Sequence, residues 1–267
     1  MTTQILVRIE SNTKEKFSRL SQREGKSTSE VIRELIGNYI QERDIGAYID
    51  CLWSRTGHKL KMKGLRPENV LVSGGSNILI QALVVAAAVE GRVLTIKPSF
   101  SLYELEGALL GNRVTEVPLR APDFSLPTEV LIQKLKVEKP SIVFIPNPNA
   151  PTGTLFPRKD LLAIIKAAKG KALVVIDEAY YPYSGTTLAG EIKKNSHLVV
   201  MRTFSKAFSL GGVRLGAILA DASVITEVKK ILLPFSVGVL SQIIGEMVLD
   251  DSYYMEKVVA EAVVEAS

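Results

Sequence analysis

The sequence is poor in the residues that staple small folds or hold metals. A single cysteine, Cys51, leaves no disulfide framework and no cysteine-rich metal site. The two histidines, His58 and His197, stand far apart without ligand-like spacing, so no metal is expected. No apolar run approaches the ~18 residues that span a bilayer, and the N-terminus lacks a basic-then-apolar export signal. A soluble cytoplasmic protein without a membrane partner is the expectation. Charge is balanced: a net +5 over 267 residues permits a polyanionic partner without requiring one. Apolar residues are plentiful. They make up 46% of the chain, enough for one large domain, or a large one and a small one.

The chain is organised around Thr203-Phe204-Ser205-Lys206-Ala207-Phe208, which runs on through Gly211-Gly212 to Arg214. It follows the apolar run Leu198-Val199-Val200-Met201, read as a buried strand. A strand ending this way presents a hydroxyl, an amine and, eight residues past the lysine, a guanidinium. Desolvation lowers a lysine's pKa and frees its lone pair, which makes Lys206 a candidate amine nucleophile. Alone, such a lysine is more simply read as snorkelling from a strand end.

The rest of the chain supplies company for it. From Val70 onward, strands are predicted over Val70–Val72, Arg92–Ile96, Val114–Val117, Ser141–Ile145, Leu173–Ile176, Leu198–Arg202 and Leu215–Ala220. Helices are predicted over Asn77–Val89, Leu102–Leu110, Pro127–Lys136, Arg158–Ala168 and Ser223–Ile231, with a helical pattern from Ser252 to Ala266. Continuous Val/Ile/Leu strands between helices imply an α/β fold, a mostly parallel sheet covered on both faces. Such sheets bind ligands beyond the carboxyl ends of their strands. There the unusual residues collect. Ser73-Gly74-Gly75-Ser76-Asn77 joins strand to helix, and its free N–H groups suit an anion. Phe100 brings an aromatic face to the same edge. Asn147-Pro148-Asn149-Ala150-Pro151-Thr152-Gly153 is a rigid loop that fixes the Asn147 amide. Asp177-Glu178-Ala179-Tyr180 ends another strand; a buried Asp there is costly unless a cation meets it, and a helix N-cap is its plainer meaning. An anion cradle, an aromatic face, an amide, a carboxylate with a phenol, and an amine with a guanidinium are together what pyridoxal phosphate requires.

The first forty residues follow another pattern. In Gln4–Ile9, residues Ile5, Val7 and Ile9 fall on one strand face and Gln4, Leu6 and Arg8 on the other. Ser11 or Asn12 is expected to cap a helix with Phe17 and Leu20 inward, and Gly25 to end it. Ser27-Thr28-Ser29-Glu30 is a capping box. It opens a second helix with Val31, Ile32, Leu35, Ile36, Tyr39 and Ile40 as its apolar face. One short strand and two helices cannot bury this much apolar surface alone, so a homodimer is expected. This pattern resembles the ribbon-helix-helix repressors. The resemblance implies a paired ribbon in the DNA major groove, with Gln4, Leu6 and Arg8 facing bases and Ser27 and Thr28 holding a phosphate. Leu6 is apolar where a polar residue is usual. Residues 1–40 carry seven Lys/Arg against five Glu, a weak electrostatic footprint. A dimerisation element without DNA binding is the alternative. The basic junction, with Arg55, Lys59, Lys61, Lys63 and Arg66, reads as a solvated face or a second phosphate-contacting surface.

From residue 67 to about 260 the chain resembles the fold-type-I pyridoxal-phosphate aminotransferases, and among them the histidinol-phosphate aminotransferases. The matching stretches are Pro98 to Tyr103, Asn147 to Gly153, Asp177 to Tyr180 and Arg202 to Phe208. The resemblance implies that Lys206 holds the cofactor as a Schiff base and then shuttles a proton. It implies that Asp177 pairs with the pyridinium nitrogen, that Asn147 and Tyr180 bond the phenolate oxygen, and that Phe100 stacks on the ring. Gly75, Ser76, Asn77, Thr203, Ser205 and Arg214 would hold the phosphate. The catalytic set would be Lys206, Asp177 and Tyr180, acting on a small amino-acid or amino-phosphate substrate. Ala150 departs from the family, standing where a second Asn is common. Tyr48 is the candidate for the family's partner-subunit tyrosine. Family members continue into a small C-terminal domain bearing the arginine that recognises the substrate's carboxylate or phosphate, whereas this sequence stops at Ser267. The expected organisation is therefore a ribbon-helix-helix domain over 1–44 and an aminotransferase-like large domain over 45–267. Two functions follow: an aminotransferase fused to a DNA-binding element, or a transcriptional regulator whose aminotransferase-like domain is a non-catalytic cofactor or amine sensor.

Overall fold

The computed structural model describes residues 11–23, 25–43, 65–233, 236–250 and 253–265. The chain forms two compact units, Met1–Cys51 and Leu52–Ser267.

In the first unit, helix α1 (Ser11–Arg23) gives way to Gly25, whose φ of 71° is open to glycine without a Cβ penalty. The turn closes through Gly25 N–H to Gln22 O at 3.1 Å and Lys26 N–H to Ser21 O at 3.0 Å, which satisfies carbonyls the helix end leaves free. Helix α2 (Thr28–Arg43) starts on the expected capping box. Ser27 N–H donates to Glu30 Oε2 at 2.7 Å and Glu30 N–H donates to Ser27 Oγ at 3.3 Å. Leu20, expected inward, is 57% exposed, with Ile32 at 41% and Leu35 at 53%. Of α1 only Ser21 is buried. The predicted strand with Gln4, Leu6 and Arg8 lies outside the described residues, as do Tyr48, Cys51 and Trp53.

The second unit is built on a seven-stranded sheet: β1 (Val70–Ser73), β2 (Arg92–Lys97), β3 (Arg113–Pro118), β4 (Ile142–Pro146), β5 (Leu173–Asp177), β6 (Leu198–Thr203) and β7 (Gly216–Leu219). The spatial order is β1-β7-β6-β5-β4-β2-β3. All neighbours are parallel except that β7 runs against both β1 and β6. Helices α3 (Ser76–Ala88), α4 (Leu102–Leu109), α5 (Thr128–Val137), α6 (Arg158–Ala168), α7 (Tyr181–Ser184), α8 (Ala222–Lys229), α9 (Val239–Asp250) and α10 (Tyr253–Glu265) accompany it. No helix among the described residues is long and apolar enough to cross a membrane.

The unbroken apolar strands are explained by two cores. Along β4, Ile142 and Phe144 pack in one cluster with α3 residues Leu79, Ile80 and Leu83, while Val143 and Ile145 pack in the other with Leu131, Leu161 and Ile164 of α5 and α6. Strands β5 and β6 alternate in the same way. Both faces are covered, so neither parity can be polar. Each fully buried Leu, Ile or Phe contributes about 1.5–3 kcal/mol relative to exposure. This layering aligns the carboxyl ends of six strands, and the start of antiparallel β7, along one sheet edge. Helix α9 matches no predicted element. Its Val239, Leu240, Ile243 and Met247 are exposed while Val248 and Leu249 pack against the core, so its apolar residues are split between two faces.

At this edge β7 presses on the start of α3. A Cβ at Gly216 would run into Ser76 N and lie 2.7 Å from Gly75 C. Gly216→Ala should therefore destabilise the unit by about 1–3 kcal/mol through forced backbone movement, read as a lower urea midpoint with unchanged slope.

Candidate active site

A cavity of about 270 Å³ opens at the carboxyl edge of the sheet. It receives Ser76 and Asn77 from the α3 start, Phe100 from the β2–α4 loop, and Asp177 and Tyr180 from the end of β5. Thr203 ends β6, and Ser205, Lys206 and Arg214 come from the segment between β6 and β7. Nine of the residues proposed from sequence thus meet around one space.

The cationic side is built by backbone geometry. Arg214 adopts φ 56°, a left-handed conformation uncommon for a residue with a side chain, and its Nη1 donates to Gly211 O at 2.9 Å. Its guanidinium lies against Gly75, where an added Cβ would stand 2.8 Å from Nη2. Gly75, itself at φ 107° and capping α3, is absent from the lining and instead makes room for the arginine. The free N–H groups of the first turn of α3 add partial positive charge. Thr203 lines the cavity with its hydroxyl engaged in the turn: Oγ1 donates to Leu215 O at 3.4 Å and accepts from Ser205 N–H at 3.1 Å. Lys206 is exposed, with Nζ 5.5 Å from the Tyr180 ring centroid.

Asp177, 5% exposed, answers from the opposite side. No cation bonds it. Its Oδ2 accepts the Tyr103 phenol at 2.6 Å and its Oδ1 accepts Ala179 N–H at 2.9 Å, two neutral donors. Burial pushes its carboxyl up to about 6, with the Tyr103 and Ala179 hydrogen bonds opposing. Phe100 stands edge-on to Tyr103, ring centroids 5.7 Å apart at 84°.

Asn147 sits in the loop that follows β4. It is buried, its Oδ1 accepts Phe156 N–H at 2.7 Å, and it does not line the cavity; Pro146, Pro148 and Ala150 of its loop do. A residue just past a strand end is easily drawn into pairing the returning backbone, and Asn147 has been. The loop is tied to the β2 end by Asn149, whose Nδ2 donates to Pro98 O at 3.1 Å and Thr152 Oγ1 at 2.8 Å.

Sequence reasoning gave no role to Tyr103 or to a second buried carboxylate, Glu178. Glu178 accepts from Arg202 Nη2 at 2.8 Å and Nε at 3.1 Å, from Thr187 Oγ1 at 2.8 Å and from Leu188 N–H at 2.7 Å. Arg202 also stacks on Tyr181, with Cζ 3.5 Å from the ring centroid. Burial raises the Glu178 carboxyl, against the opposing pull of Arg202 and Leu188 N–H. The available signals were an arginine closing an apolar strand and an aromatic one helical turn beyond Phe100.

Residues 37–263 match the family model for aminotransferase class I and II. The chain belongs to this family. Residues 3–43 match the ribbon-helix-helix protein, copG family. The aminotransferase portion is 37% identical over 204 residues to a histidinol-phosphate aminotransferase of Deinococcus radiodurans, covering 76% of this chain and 56% of that protein. It is 38% identical over 234 residues to histidinol-phosphate aminotransferase 1 of Carboxydothermus hydrogenoformans, covering 87% and 66%. The chain thus spans between half and two thirds of these relatives' length. Among solved structures it shares the fold of the histidinol-phosphate aminotransferase from Sinorhizobium meliloti, solved in complex with pyridoxal-5'-phosphate. The TM-score is 0.73 at 24% identity, over 85% of this chain and 62% of that one.

The elevated Asp177 carboxyl has a measurable signature in the cofactor-free chain. Its unfolded value is 3.8 and its folded value about 6, so the folded state favours the protonated form. Its contribution to stability is full below about pH 3.8 and is lost as pH rises through about 6. Asp177→Asn should therefore gain stability relative to wild type between pH 4 and pH 7, seen by comparing urea midpoints at both values.

Proposed function

We propose that this chain binds pyridoxal phosphate through Lys206, works as an aminotransferase of the histidinol-phosphate aminotransferase kind, and carries a DNA-binding element at its N-terminus. The observation that carries the reading is the convergence of Lys206, Asp177, Tyr180 and Arg214 on one cavity beside the α3 N-terminus. This donor set fits the cofactor. Arg214, Ser205 and the Ser76 and Asn77 turn hold the phosphate, with Gly75 leaving space for the guanidinium and Thr203 bracing the turn. Asp177 would keep the ring nitrogen protonated, Tyr180 would donate to the phenolate oxygen, and Phe100 would pack on the ring. Asn147, its amide oxygen held by Phe156 N–H, would keep its amide nitrogen as a donor to the phenolate oxygen beside Tyr180. When bound, pyridoxal phosphate supplies an electron sink for charge developing at the substrate's amino-bearing carbon. Lys206 Nζ would be the base that takes the proton from that carbon and returns it.

The domain boundary lies near residue 44. The exposed Leu20, Ile32 and Leu35 support a homodimer formed through the N-terminal element. The ribbon would present Gln4, Leu6 and Arg8 to DNA, with Thr28 beside a phosphate; Ser27 contributes less, because Glu30 already accepts both its N–H and its hydroxyl. A cytoplasmic location suits both activities, and the substrate class is a small amino acid or amino-phosphate.

Chain mixed with pyridoxal phosphate should turn yellow, and borohydride should then fix the label on Lys206. Lys206→Ala should stay colourless. Arg214→Met should weaken cofactor binding by roughly 10- to 100-fold, the loss of a charged hydrogen-bonding partner. A panel of amino donors should change the spectrum; no change with any donor would favour the cofactor-sensing regulator instead. For the DNA element, Arg8→Ala should weaken binding to the preferred site by about 1–3 kcal/mol and relax its sequence preference while leaving the colour intact.

A further inference from the structure

The contacts proposed for the cofactor leave one polar group of the cavity without a task. Tyr103 sits in the first turn of α4 and is fully buried. Its ring stacks on Phe144, centroids 4.7 Å apart at 9°, and meets the edge of Phe100. We propose that Tyr103 is a positioning residue of the cofactor site, whose hydroxyl pins the Asp177 carboxylate so that it keeps one orientation toward the ring nitrogen. The inference rests on the cofactor reading above.

The geometry supports it at both ends of the carboxylate. Each carboxylate oxygen has two lone-pair directions. The phenol takes one on Oδ2 and Ala179 N–H takes one on Oδ1, while the residue still lines the cavity. The last torsion of an aspartate is soft. With the Ala179 contact alone the group could swing about Oδ1; the second contact removes that freedom. The phenol is also a one-way donor. Burial, with the Asp177 charge and hydrogen bond, pushes its pKa well above the ordinary tyrosine value, so it stays protonated. Of the forces on Asp177, burial is the largest and raises its pKa; the Tyr103 hydrogen bond is the first that opposes it. Glu178 adds a further raising influence, and Lys206, Arg214 and Tyr180 share the cavity. A tyrosine present only to fill space would have no such hold on the carboxylate.

The test is a titration of the cofactor-free full chain labelled with carbon-13 at aspartate Cγ, with the Asp177 resonance assigned by its loss in Asp177→Asn. The wild-type midpoint is expected near the value of about 6 given by its burial. Tyr103→Phe keeps both ring contacts and should raise the midpoint by about 1–2 pH units. The pH range over which the bound cofactor changes its visible absorption should shift with it. Phe100→Leu, which touches only the ring edge, should leave the midpoint in place. An unmoved midpoint in folded Tyr103→Phe overturns the proposal. Should that variant not fold, replacing tyrosine throughout by 3-fluorotyrosine gives a more acidic, stronger donor that must lower the midpoint; no movement again overturns it. Because the titration uses cofactor-free chain, a failure to bind pyridoxal phosphate shows separately, as absence of colour, and overturns the reading on which the inference rests.

Discussion

Asp177 must be kept charged almost out of water, and much of the cavity follows from that requirement. An ion buried at a strand end costs on the order of several kcal/mol unless donors replace its hydration. The donors here come from elements far apart in the chain. Tyr103 is delivered by α4, which reaches the right depth because its ring lies flat on Phe144 of β4. Ala179 is delivered by the turn that ends β5 itself. Neither donor is charged, so the carboxylate retains an uncompensated negative charge on its cavity side. A protonated ring nitrogen would satisfy it.

The neighbouring residue shows the contrasting solution. Glu178 is buried to a similar degree, but its partner is a guanidinium, and a hydroxyl and a backbone N–H complete its coordination. That carboxylate is saturated from within and binds the segment around α7 to β6. Two adjacent acids on one strand end thus divide the work. One is closed and holds the scaffold; the other keeps one side turned to the cavity. The distinction is drawn by which helix and which loop face each of them, not by residue type.

This explains how far the sequence could be read. The strands were legible because both parities along β4, β5 and β6 are apolar, as a doubly covered sheet demands. The lysine segment was legible because its polar groups follow such a strand at close spacing. The Tyr103–Asp177 contact was not, since it joins residues 74 positions apart. It depends on β2, β4 and β5 lying side by side, an order that periodicity does not encode. The tie between the Asn147 amide oxygen and Phe156 N–H, which leaves the amide nitrogen as the donor a phenolate oxygen would need, was not legible for a related reason: it joins a strand end to returning chain. Helix α9 escaped notice because four of its apolar residues are exposed while Val248 and Leu249 pack inward, which blurs the helical period.

The reversed direction of β7 has a consequence of its own. The chain leaves the sheet edge at the end of β6, bears Lys206 there, and must come back to that same edge to begin β7, arriving through Arg214. The amine and the guanidinium are therefore opposite banks of a single short meander, tethered by Thr203 to Leu215 across its neck. Their separation is inherited from local chain length and not from the packing of distant parts. A fold of this kind can vary widely in its outer helices while the spacing between its two cationic groups stays the same.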